Sequence, residues 1–389
     1  MLTFKSKKAF LKGKFTKISP IYVQFVVSNN CNLTCRMCGR VEARSGEGEL
    51  TLEEIDRLAT VLDQLGCGVI ILTGGEPFIR EDLPNIVRTF AKRGFEVRLQ
   101  TNGVLATEEN VKAVVNAGLS GLSLSLDSLY PEKQDYINNQ KGSWTNTVKA
   151  ISLFSKVFAT RKTVLGVNTV VSRLNIEEIP KIVKFVTAIK FYSSLIPVHL
   201  SSPLDGFIVS KRALAFRFIP EDYPTIDSVY GKIIEMRKQG YHVFHSYQFL
   251  EESPNFLKYG RTNWSCDSPY LYFSISPSGI FLPCVDLPGS KSMLDSDFVD
   301  SYYSEGFQKN IRDAVKNCEG CYRACYPEVS YFCRDMGTFI ERIFQGFKVS
   351  QTSCKPIRYE EALRLIEDIR DQGEETGQTV YQGSPNKKV

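Results

Sequence analysis

Histidine and tryptophan are scarce in this sequence, and long apolar runs are missing from it. The 389-residue chain contains three histidines and two tryptophans. Because structural zinc sites draw on histidine or on four clustered cysteines, a histidine-based zinc site is disfavoured, and we interpret His199, His242 and His245 as packing residues. No apolar stretch approaches the ~18 residues of a membrane-spanning helix, so we expect no transmembrane segment.

The beginning of the chain, MLTFKSKKAFLKGKFTK, has lysines along its whole length and no uninterrupted apolar segment. Because a secretory signal needs such a segment, we expect a cytoplasmic protein. Residues 1–20 are predicted to be a basic N-terminal arm. Two interpretations of this arm stay open: an amphipathic helix in weak contact with a membrane, or a solvated arm that lies on the rest of the protein.

Eleven cysteines are the compositional anomaly of the chain. In a reducing cytosol, clustered cysteines more often bind metals or carry out redox chemistry than form disulfides. The formal net charge of +5 is small for 44.0 kDa, and no basic stripe with interleaved aromatic residues is present. We therefore expect metal-binding cysteines and no nucleic-acid partner.

Short runs rich in β-branched residues alternate with amphipathic stretches of helical length between residues 21 and 200. This alternation indicates repeated βα units. The predicted strands are 21–28, 68–73, 95–100, 121–127, 163–171 and 193–200. These units are too few for a closed eight-stranded barrel, so the sequence predicts an α/β fold: a partial (β/α)6 TIM-like barrel, with its chemistry at the carboxyl ends of the strands.

The rest of the chain divides by composition. Residues 21–200 form the predicted barrel, and residues 201–258 lack its rhythm and are predicted to be a connector. Residues 259–358 contain most of the cysteines, which predicts a separate small domain. Residues 359–389 are predicted to be a helix followed by a polar, disordered tail.

The segment NNCNLTCRMCGR places Cys31, Cys35 and Cys38 in a C-x3-C-x2-C array just after the first predicted strand. An iron-sulfur cube has four irons, so three cysteines leave one iron open for a small molecule. Zinc is the alternative, but a structural zinc site needs a fourth ligand close by, and the next cysteine is Cys67, which we interpret as a buried thiol.

This array resembles that of the radical S-adenosylmethionine (SAM) superfamily, and LTGGEP at residues 72–77 resembles the glycine-rich element of that family. The resemblance implies a [4Fe-4S] cluster on the three cysteines, with bound SAM. It also implies SAM contacts at Gly74, Gly75, Glu76 and Pro77. Met37 departs from the family, which often has an aromatic residue at that position, but a thioether packs well against an aromatic ring.

Polar residues follow the later strands as well, at positions where the family lines its cofactor or substrate cavity. These candidates for SAM binding are Asn102, Ser125, Asp127 and Asn168. Each could instead cap a helix or form a turn. The family chemistry is reductive cleavage of SAM to a 5'-deoxyadenosyl radical that abstracts a substrate hydrogen, which implies an electron donor of the flavodoxin or ferredoxin type and requires no acid–base dyad.

A second group of cysteines lies in the predicted C-terminal domain. Cys266 and Cys284 form C-x12-G-x4-C with Gly279 between them, in a sequence that predicts a β-hairpin. The remaining cysteines of this group are Cys318, Cys321, Cys325, Cys333 and Cys354. A hairpin pair plus C-x2-C is a four-ligand site for a second cube or for zinc.

The hairpin pattern followed by C-x2-C resembles the SPASM and twitch auxiliary-cluster domains of radical SAM enzymes. The long form expects C-x2-C-x5-C-x3-C, whereas this chain has C-x2-C-x3-C-x7-C before Cys354. We therefore expect one auxiliary [4Fe-4S] cluster rather than two. Its ligands are expected to be Cys266, Cys284, Cys318 and Cys321, with Cys325, Cys333 and Cys354 as further candidates.

The sequence thus predicts a radical SAM enzyme, an oxidoreductase that completes an oxidation or rearrangement with its auxiliary cluster. A small metabolite, lipid or cofactor precursor is the expected substrate, because about 20 residues before the barrel are too few for a leader-peptide-binding domain. A maturase of ribosomally made peptides is the alternative. A non-catalytic iron-sulfur electron carrier has no need of the GGEP element, and a zinc-stabilised binding protein would lack the brown colour of iron-sulfur clusters.

Overall fold

The computed structural model of the chain describes residues 3–39, 48–159, 163–199, 213–260, 263–316, 318, 320–351 and 353–372. The predicted tail beyond residue 372 and the first part of the predicted connector, up to residue 212, lie outside the described residues. No helix among the described residues is long and apolar enough to cross a membrane.

Six parallel strands form the barrel, as the alternating pattern predicts. They are β1 (Tyr22–Ser28), β2 (Val69–Gly74), β3 (Glu96–Thr101), β4 (Gly121–Ser125), β5 (Val164–Val171) and β6 (Tyr192–Pro197). Each pairs in parallel with the next. The helices between them are α2 (Leu52–Gln64), α3 (Leu83–Lys92), α4 (Glu108–Asn116), α5 (Pro131–Asn138), α6 (Ser143–Val157) and α7 (Ile179–Ala188). The predicted α/β barrel architecture is confirmed.

Alternation along each strand separates the helix-facing side of the barrel from its interior. On β1, Phe25 is buried and its ring meets that of Phe90 on α3 edge to face, with centroids 6.3 Å apart. Partly exposed polar residues such as Gln24, Gln100 and Asn168 occupy the alternate positions. The apolar side therefore holds the helices in place, and the polar side lines the interior.

The predicted C-terminal hairpin forms, but it belongs to the barrel sheet. Its strands are β7 (Tyr272–Ile275) and β8 (Phe281–Leu282), and β7 pairs in parallel with β1, with Tyr22 opposite Tyr272. The sheet order is therefore β6-β5-β4-β3-β2-β1-β7-β8. Sequence patterns gave no sign of this pairing.

The C-terminal domain fills the open side of the barrel between β6 and β7. The Tyr322 backbone N–H donates to His199 Nε2, just beyond β6, at 2.9 Å, and the Tyr326 ring stacks on Tyr272 of β7 with centroids 4.6 Å apart. The pairing of β7 with β1 joins this part of the chain to the barrel sheet.

Helices outside the barrel units complete the described chain. They are α1 (Phe4–Thr16), α8 (Tyr223–Lys238), α9 (Tyr247–Tyr259), α10 (Phe298–Tyr303), α11 (Glu305–Lys316), α12 (Cys325–Arg334), α13 (Met336–Gln351) and α14 (Tyr359–Asp371). The predicted helix after residue 359 is α14, which packs against α6 and α7.

The N-terminal segment is a helix that lies across the amino-terminal ends of the strands. A Cβ atom on Gly68, just before β2, would lie 2.6 Å from Ser6 Cα, and one on Gly13 would lie 2.6 Å from the Ile21 side chain. Lys5 Nζ donates to the Arg93 carbonyl oxygen, before β3, at 3.1 Å. These contacts hold α1 at the end of the barrel opposite to the carboxyl ends of the strands.

Candidate functional site

The three N-terminal cysteines lie on one loop that leaves the carboxyl end of β1. The Leu33 N–H donates to Cys31 Sγ at 3.4 Å, and the Cys38 N–H donates to the Cys35 carbonyl oxygen at 3.1 Å. Burial raises the pKa of Cys35, and negative charge at Cys38, Asp127 and Cys31 raises it further. Burial and the neighbouring groups thus oppose ionisation of Cys35, and a bound cation would stabilise it as a thiolate.

The two glycines after β2 allow close contact with the start of the cysteine loop. The Gly75 N–H donates to the Ser28 carbonyl oxygen at 2.8 Å. A Cβ atom on Gly75 would lie 2.0 Å from the Asn30 carbonyl oxygen, and one on Gly74, which has φ 153°, would lie 2.3 Å from that of Ser28. Only glycine fits at these positions without moving the loop.

Glu76 has an internal structural role. Its buried carboxylate accepts hydrogen bonds from Thr101 Oγ1 at 2.7 Å, the Asn102 N–H at 2.8 Å and the Phe78 N–H at 3.1 Å. Burial raises its pKa to about 7 although these donors lower it. Glu76 therefore fixes the end of β3, while the buried Pro77 begins the short 3-10 helix Pro77–Ile79.

Asn102 connects the end of β3 to the cysteine loop. Its Nδ2 donates to Asn32 Oδ1 at 2.9 Å and lies 3.8 Å from Cys31 Sγ. Asn32 Nδ2, one residue from Cys31, is buried and has no hydrogen-bond partner within the described part of the chain. A buried donor without an acceptor, beside three thiols, suits a loop that surrounds an inorganic cluster with sulfide acceptors.

The polar candidates on β4 and β5 divide into two groups. Ser125 and Asn168 lie opposite each other in the sheet register, and both are partly exposed on its interior side. Asp127 is buried; its Oδ1 accepts from the Val170 N–H at 2.7 Å, and its carbonyl oxygen accepts from Asn175 Nδ2. Ser125 and Asn168 are thus available to a ligand, whereas Asp127 joins β4 to β5.

One site residue was missed from the sequence. Cys35 Sγ lies 3.4 Å from Asn138 Oδ1, at the end of α5, and Arg36 Nε donates to the Tyr136 carbonyl oxygen on the same helix. The available signal was Pro131, since proline is favoured at the first position of a helix. The cysteine loop is therefore held from two sides, by the glycine pair and by α5.

The C-terminal cysteines expected to bind the auxiliary cluster lie near one another. Burial raises the pKa of Cys266, Cys284 and Cys321, and each of these thiols also feels negative charge from another member of the set: Cys266 from Cys318, Cys284 from Cys321, and Cys321 from Cys266. Cys266 Sγ and the Tyr272 hydroxyl are 3.2 Å apart. Four clustered thiols suit a fully ligated cube.

The other cysteines have different neighbours. Cys325 lies near Tyr22 and Arg98 on the interior side of the barrel, and Cys333 lies near Asp267 and the lysines of the N-terminal segment. Cys354 Sγ donates to the Ser155 carbonyl oxygen on α6 at 3.3 Å. Cys67 is fully buried, as expected, and burial raises its pKa to about 12.

Among the described residues, no three histidine, cysteine, aspartate or glutamate side chains are placed to hold one metal ion. The thiols of an iron-sulfur cube have a different arrangement, because each binds a separate iron. Residues 25–186 match the model of the family described as the Radical SAM superfamily. Over this segment, which is less than half of the chain, the protein is similar to the radical SAM superfamily. The matched segment contains the whole cysteine loop and the glycine pair.

Several curated proteins are similar to part of this chain. An AdoMet-dependent heme synthase of Methanosarcina barkeri is 33% identical over 164 residues, which are 42% of this chain and 46% of that protein. A GTP 3',8-cyclase of Peptoclostridium acidaminophilum is 36% identical over 137 residues, 34% of this chain and 41% of that protein. The chain thus spans less than half the length of these relatives.

Solved structures are similar over more of the chain. Streptococcus suis SuiB bound to its precursor peptide SuiA superposes with a TM-score of 0.59 at 17% identity, over 79% of this chain and 70% of SuiB. The enzyme anSMEcpe with bound AdoMet gives a TM-score of 0.55 at 16% identity, over 91% of this chain and 97% of its own. The predicted fold, a partial barrel with a small C-terminal domain, is confirmed.

The buried carboxyl of Asp127 gives the stability of this chain a measurable pH dependence. Burial raises the pKa of Asp127 to about 7 in the folded state, above the ~3.9 of an unfolded chain. The folded state therefore binds this proton more tightly, and stability rises as the pH falls through 7. From pH 8 to pH 6 the gain from this group is about 1.4 kcal/mol. Urea unfolding of the cluster-free chain is expected to show this gain, and Asp127→Asn to lose it. An unchanged pH slope in the variant would contradict the assignment.

Proposed function

We propose that this chain is a radical SAM oxidoreductase that acts on a small metabolite, lipid or cofactor precursor. Its SAM cluster would be held by Cys31, Cys35 and Cys38, with an electron donor of the flavodoxin or ferredoxin type in the cytoplasm. The observation that carries the proposal is the convergence of the cysteine loop, the glycine pair and Asn102 at one end of the barrel. An electron carrier has no need of this arrangement.

When bound and reduced, the cluster and SAM supply a 5'-deoxyadenosyl radical that removes a hydrogen atom from the substrate. The protein positions these reactants. Gly75 holds the cysteine loop against β2, and Glu76 fixes the backbone of Asn102. Ser125 and Asn168, partly exposed on the interior side, are the proposed contacts for SAM or substrate. The barrel wall excludes water and competing hydrogen donors.

We further propose a single auxiliary [4Fe-4S] cluster on Cys266, Cys284, Cys318 and Cys321. Two features support a single cluster: Cys266, Cys284 and Cys321 each feel negative charge from another member of the set, whereas Cys333 and Cys354 have other neighbours. The set lies at the side of the barrel, next to the interior-facing Tyr272. If bound there, the cluster would supply a one-electron acceptor, so that the overall reaction would be a two-electron oxidation.

Anaerobic reconstitution with iron and sulfide tests the proposal directly. We expect about eight irons per chain, four for each of two cubes, and formation of 5'-deoxyadenosine that requires both dithionite and SAM. About twelve irons would indicate a second auxiliary cluster. Bound zinc without iron would contradict the proposed function.

A variant that lacks one auxiliary ligand distinguishes the iron of the auxiliary cluster from that of the SAM cluster. Cys321→Ala is expected to reduce the iron content to about four per chain, while dithionite-dependent formation of 5'-deoxyadenosine continues. Cys354→Ala is the matched control, since this thiol packs against Ser155 of α6 away from the proposed ligands, and it is expected to retain about eight irons. Equal iron loss in both variants would contradict the assigned ligand set.

Peptide modification is the second candidate function. Its support is the similarity in fold to SuiB, whose structure contains a precursor peptide, and to anSMEcpe, solved with a bound peptide. The small-molecule candidate is supported instead by relatives of higher sequence identity, a heme synthase and GTP cyclases. Deuterium transfer from substrate into 5'-deoxyadenosine, tested with peptide and metabolite pools, distinguishes the two.

A further inference from the structure

Helix α1 exposes large apolar side chains on its outer face. Phe4 is 85% exposed, Leu11 57% and Phe15 77%. Their spacing of seven and four residues places all three along one side of the helix. The helix is anchored through its opposite side, where Ser6, Ala9 and Gly13 are buried. This outer face is therefore held rigidly in contact with solvent.

The charge of this segment is entirely positive. Residues 3–20 contain no aspartate or glutamate. Lys5 and Lys14 turn toward the protein: Lys5 forms an ion pair with Asp63, and Lys14 Nζ donates to the Phe332 carbonyl oxygen. The lysines on the exposed side are Lys7, Lys8, Lys12 and Lys17. These lysines flank the exposed apolar side chains. The helix contains no acidic residue.

A second exposed apolar stripe lies on the neighbouring helix α13. Its exposed members are Met336 (59%), Ile340 (48%), Ile343 (40%) and Phe344 (65%). The two helices are adjacent, because Lys14 Nζ of α1 lies 4.7 Å from the centroid of the Phe339 ring on α13. Phe10 and Phe332 also meet near this junction, with centroids 5.3 Å apart. We call the exposed sides of α1 and of residues 336–344 the basal face.

The basal face lies at the end of the barrel opposite to the cysteine loop. Helix α1 contacts Ile21, Gly68 and Arg93, each of which precedes a strand. Helix α13 contacts Val243 through Gln345 Nε2, and Val243 bridges Ser193 near the start of β6. Both helices thus border the amino-terminal ends of the strands, and the cysteines lie beyond the carboxyl end of β1.

We propose that the basal face docks the protein onto an anionic lipid bilayer. Exposed phenylalanine, leucine and isoleucine side chains insert at the boundary between headgroups and acyl chains, and the lysines beside them pair with lipid phosphates. Residues 3–20 carry no acidic side chain, so α1 does not repel an anionic surface. Within residues 336–344 the one acidic residue, Glu341, is paired with Arg237. The docked barrel points its SAM site away from the bilayer, so substrate enters from the aqueous side. This inference does not depend on the proposed function.

Flotation of the full chain with extruded vesicles tests this inference. We expect the chain to float with phosphatidylcholine vesicles that contain 30% phosphatidylglycerol, a composition chosen as about the anionic content of a charged leaflet, and to remain unbound with phosphatidylcholine alone. The triple variant Lys7→Glu, Lys8→Glu, Lys12→Glu is expected to bind on the order of a hundredfold more weakly. The matched control is Lys112→Glu, Lys141→Glu, Lys149→Glu, which makes the same charge change at exposed lysines on the barrel; it is expected to bind almost as well as the unmodified chain.

A variant that loses exposed apolar side chains tests their contribution to vesicle binding independently of charge. Leu11→Ser with Phe15→Ser changes two exposed side chains and no charge, so the fold is expected to persist while vesicle binding falls by about tenfold or more. Three results would overturn the inference. They are no flotation with anionic vesicles, an equal loss of vesicle binding in the α1 lysine variant and in the control triple variant, or no loss of vesicle binding in the apolar variant. A dimer in solution that this apolar variant dissociates, without vesicle binding, would identify a second copy as the occupant and would also overturn it.

Discussion

Cys35→Ala is expected to abolish formation of 5'-deoxyadenosine, with a loss on the order of a thousandfold or more. Cys35 is the middle ligand of the proposed SAM cluster and lies between the glycine-held end of the loop and Asn138 of α5. Its removal leaves two thiolates, which are too few to retain a cube with one open iron. We therefore expect about four irons to remain, all on the auxiliary site.

The matched control for this variant is Cys67→Ala. Cys67 is fully buried beside the start of β2 and is outside both cysteine groups. It is expected to keep about eight irons and full formation of 5'-deoxyadenosine. Iron counting and chromatographic assay on both variants provide the measurement. Wild-type levels of 5'-deoxyadenosine from Cys35→Ala would refute the ligand assignment.

Gly75→Ala is expected to reduce 5'-deoxyadenosine formation by about a hundredfold, although no ligand changes. The added Cβ atom would lie 2.0 Å from the Asn30 carbonyl oxygen, so the cysteine loop must move by roughly 1 Å to restore van der Waals contact. A displacement of about 1 Å at a reacting centre can cost on the order of a hundredfold in rate. Overpacking of this kind also destabilises the fold by about 1–3 kcal/mol.

The control for this steric argument is Gly231→Ala on α8. A Cβ atom there meets no atom within 4 Å, and alanine is favoured over glycine in a helix by about 1 kcal/mol. We expect this variant to keep its activity and to unfold at slightly higher urea. Equal rates for Gly75→Ala and the unmodified chain, at equal iron content, would show that the glycine pair does not position the loop.

The barrel could be predicted because its sequence signals are local, and the signals for the proposed SAM site are local as well. Strand and helix patterns repeat along residues 21–200, and the cysteine spacing lies within one loop. The tertiary contacts of the cysteine loop were harder to predict from the sequence. The closeness of Asn138 to Cys35 depends on α5, whose residues show little amphipathic pattern, and only Pro131 marks its beginning.

The role of Glu76 shows a second limit of the sequence. Its place in GGEP suggested a contact with SAM, yet its carboxylate accepts hydrogen bonds from Thr101 and Asn102 of the following unit. Whether Glu76 meets SAM or a neighbouring strand depends on which strand end lies beside β2. That order of strands is a property of the packed sheet. The lysine-rich beginning of the chain was ambiguous for a similar reason, since the surface that holds α1 in place, which includes Gly68 and Ile21, is formed by residues distant from most of the helix in sequence.

The pairing of β1 with β7 has a consequence for synthesis of the protein. During synthesis, one edge of β1 can pair with β2 early. Its other edge stays unpaired until Tyr272–Ile275 has been made. At about 5–20 residues per second, the ribosome needs roughly ten to fifty seconds to make the intervening chain. During that interval the nascent barrel has an unpaired, apolar edge at its first strand, where strands from neighbouring nascent chains could add. Chaperone demand should therefore be highest before residue 275 emerges and fall sharply afterwards.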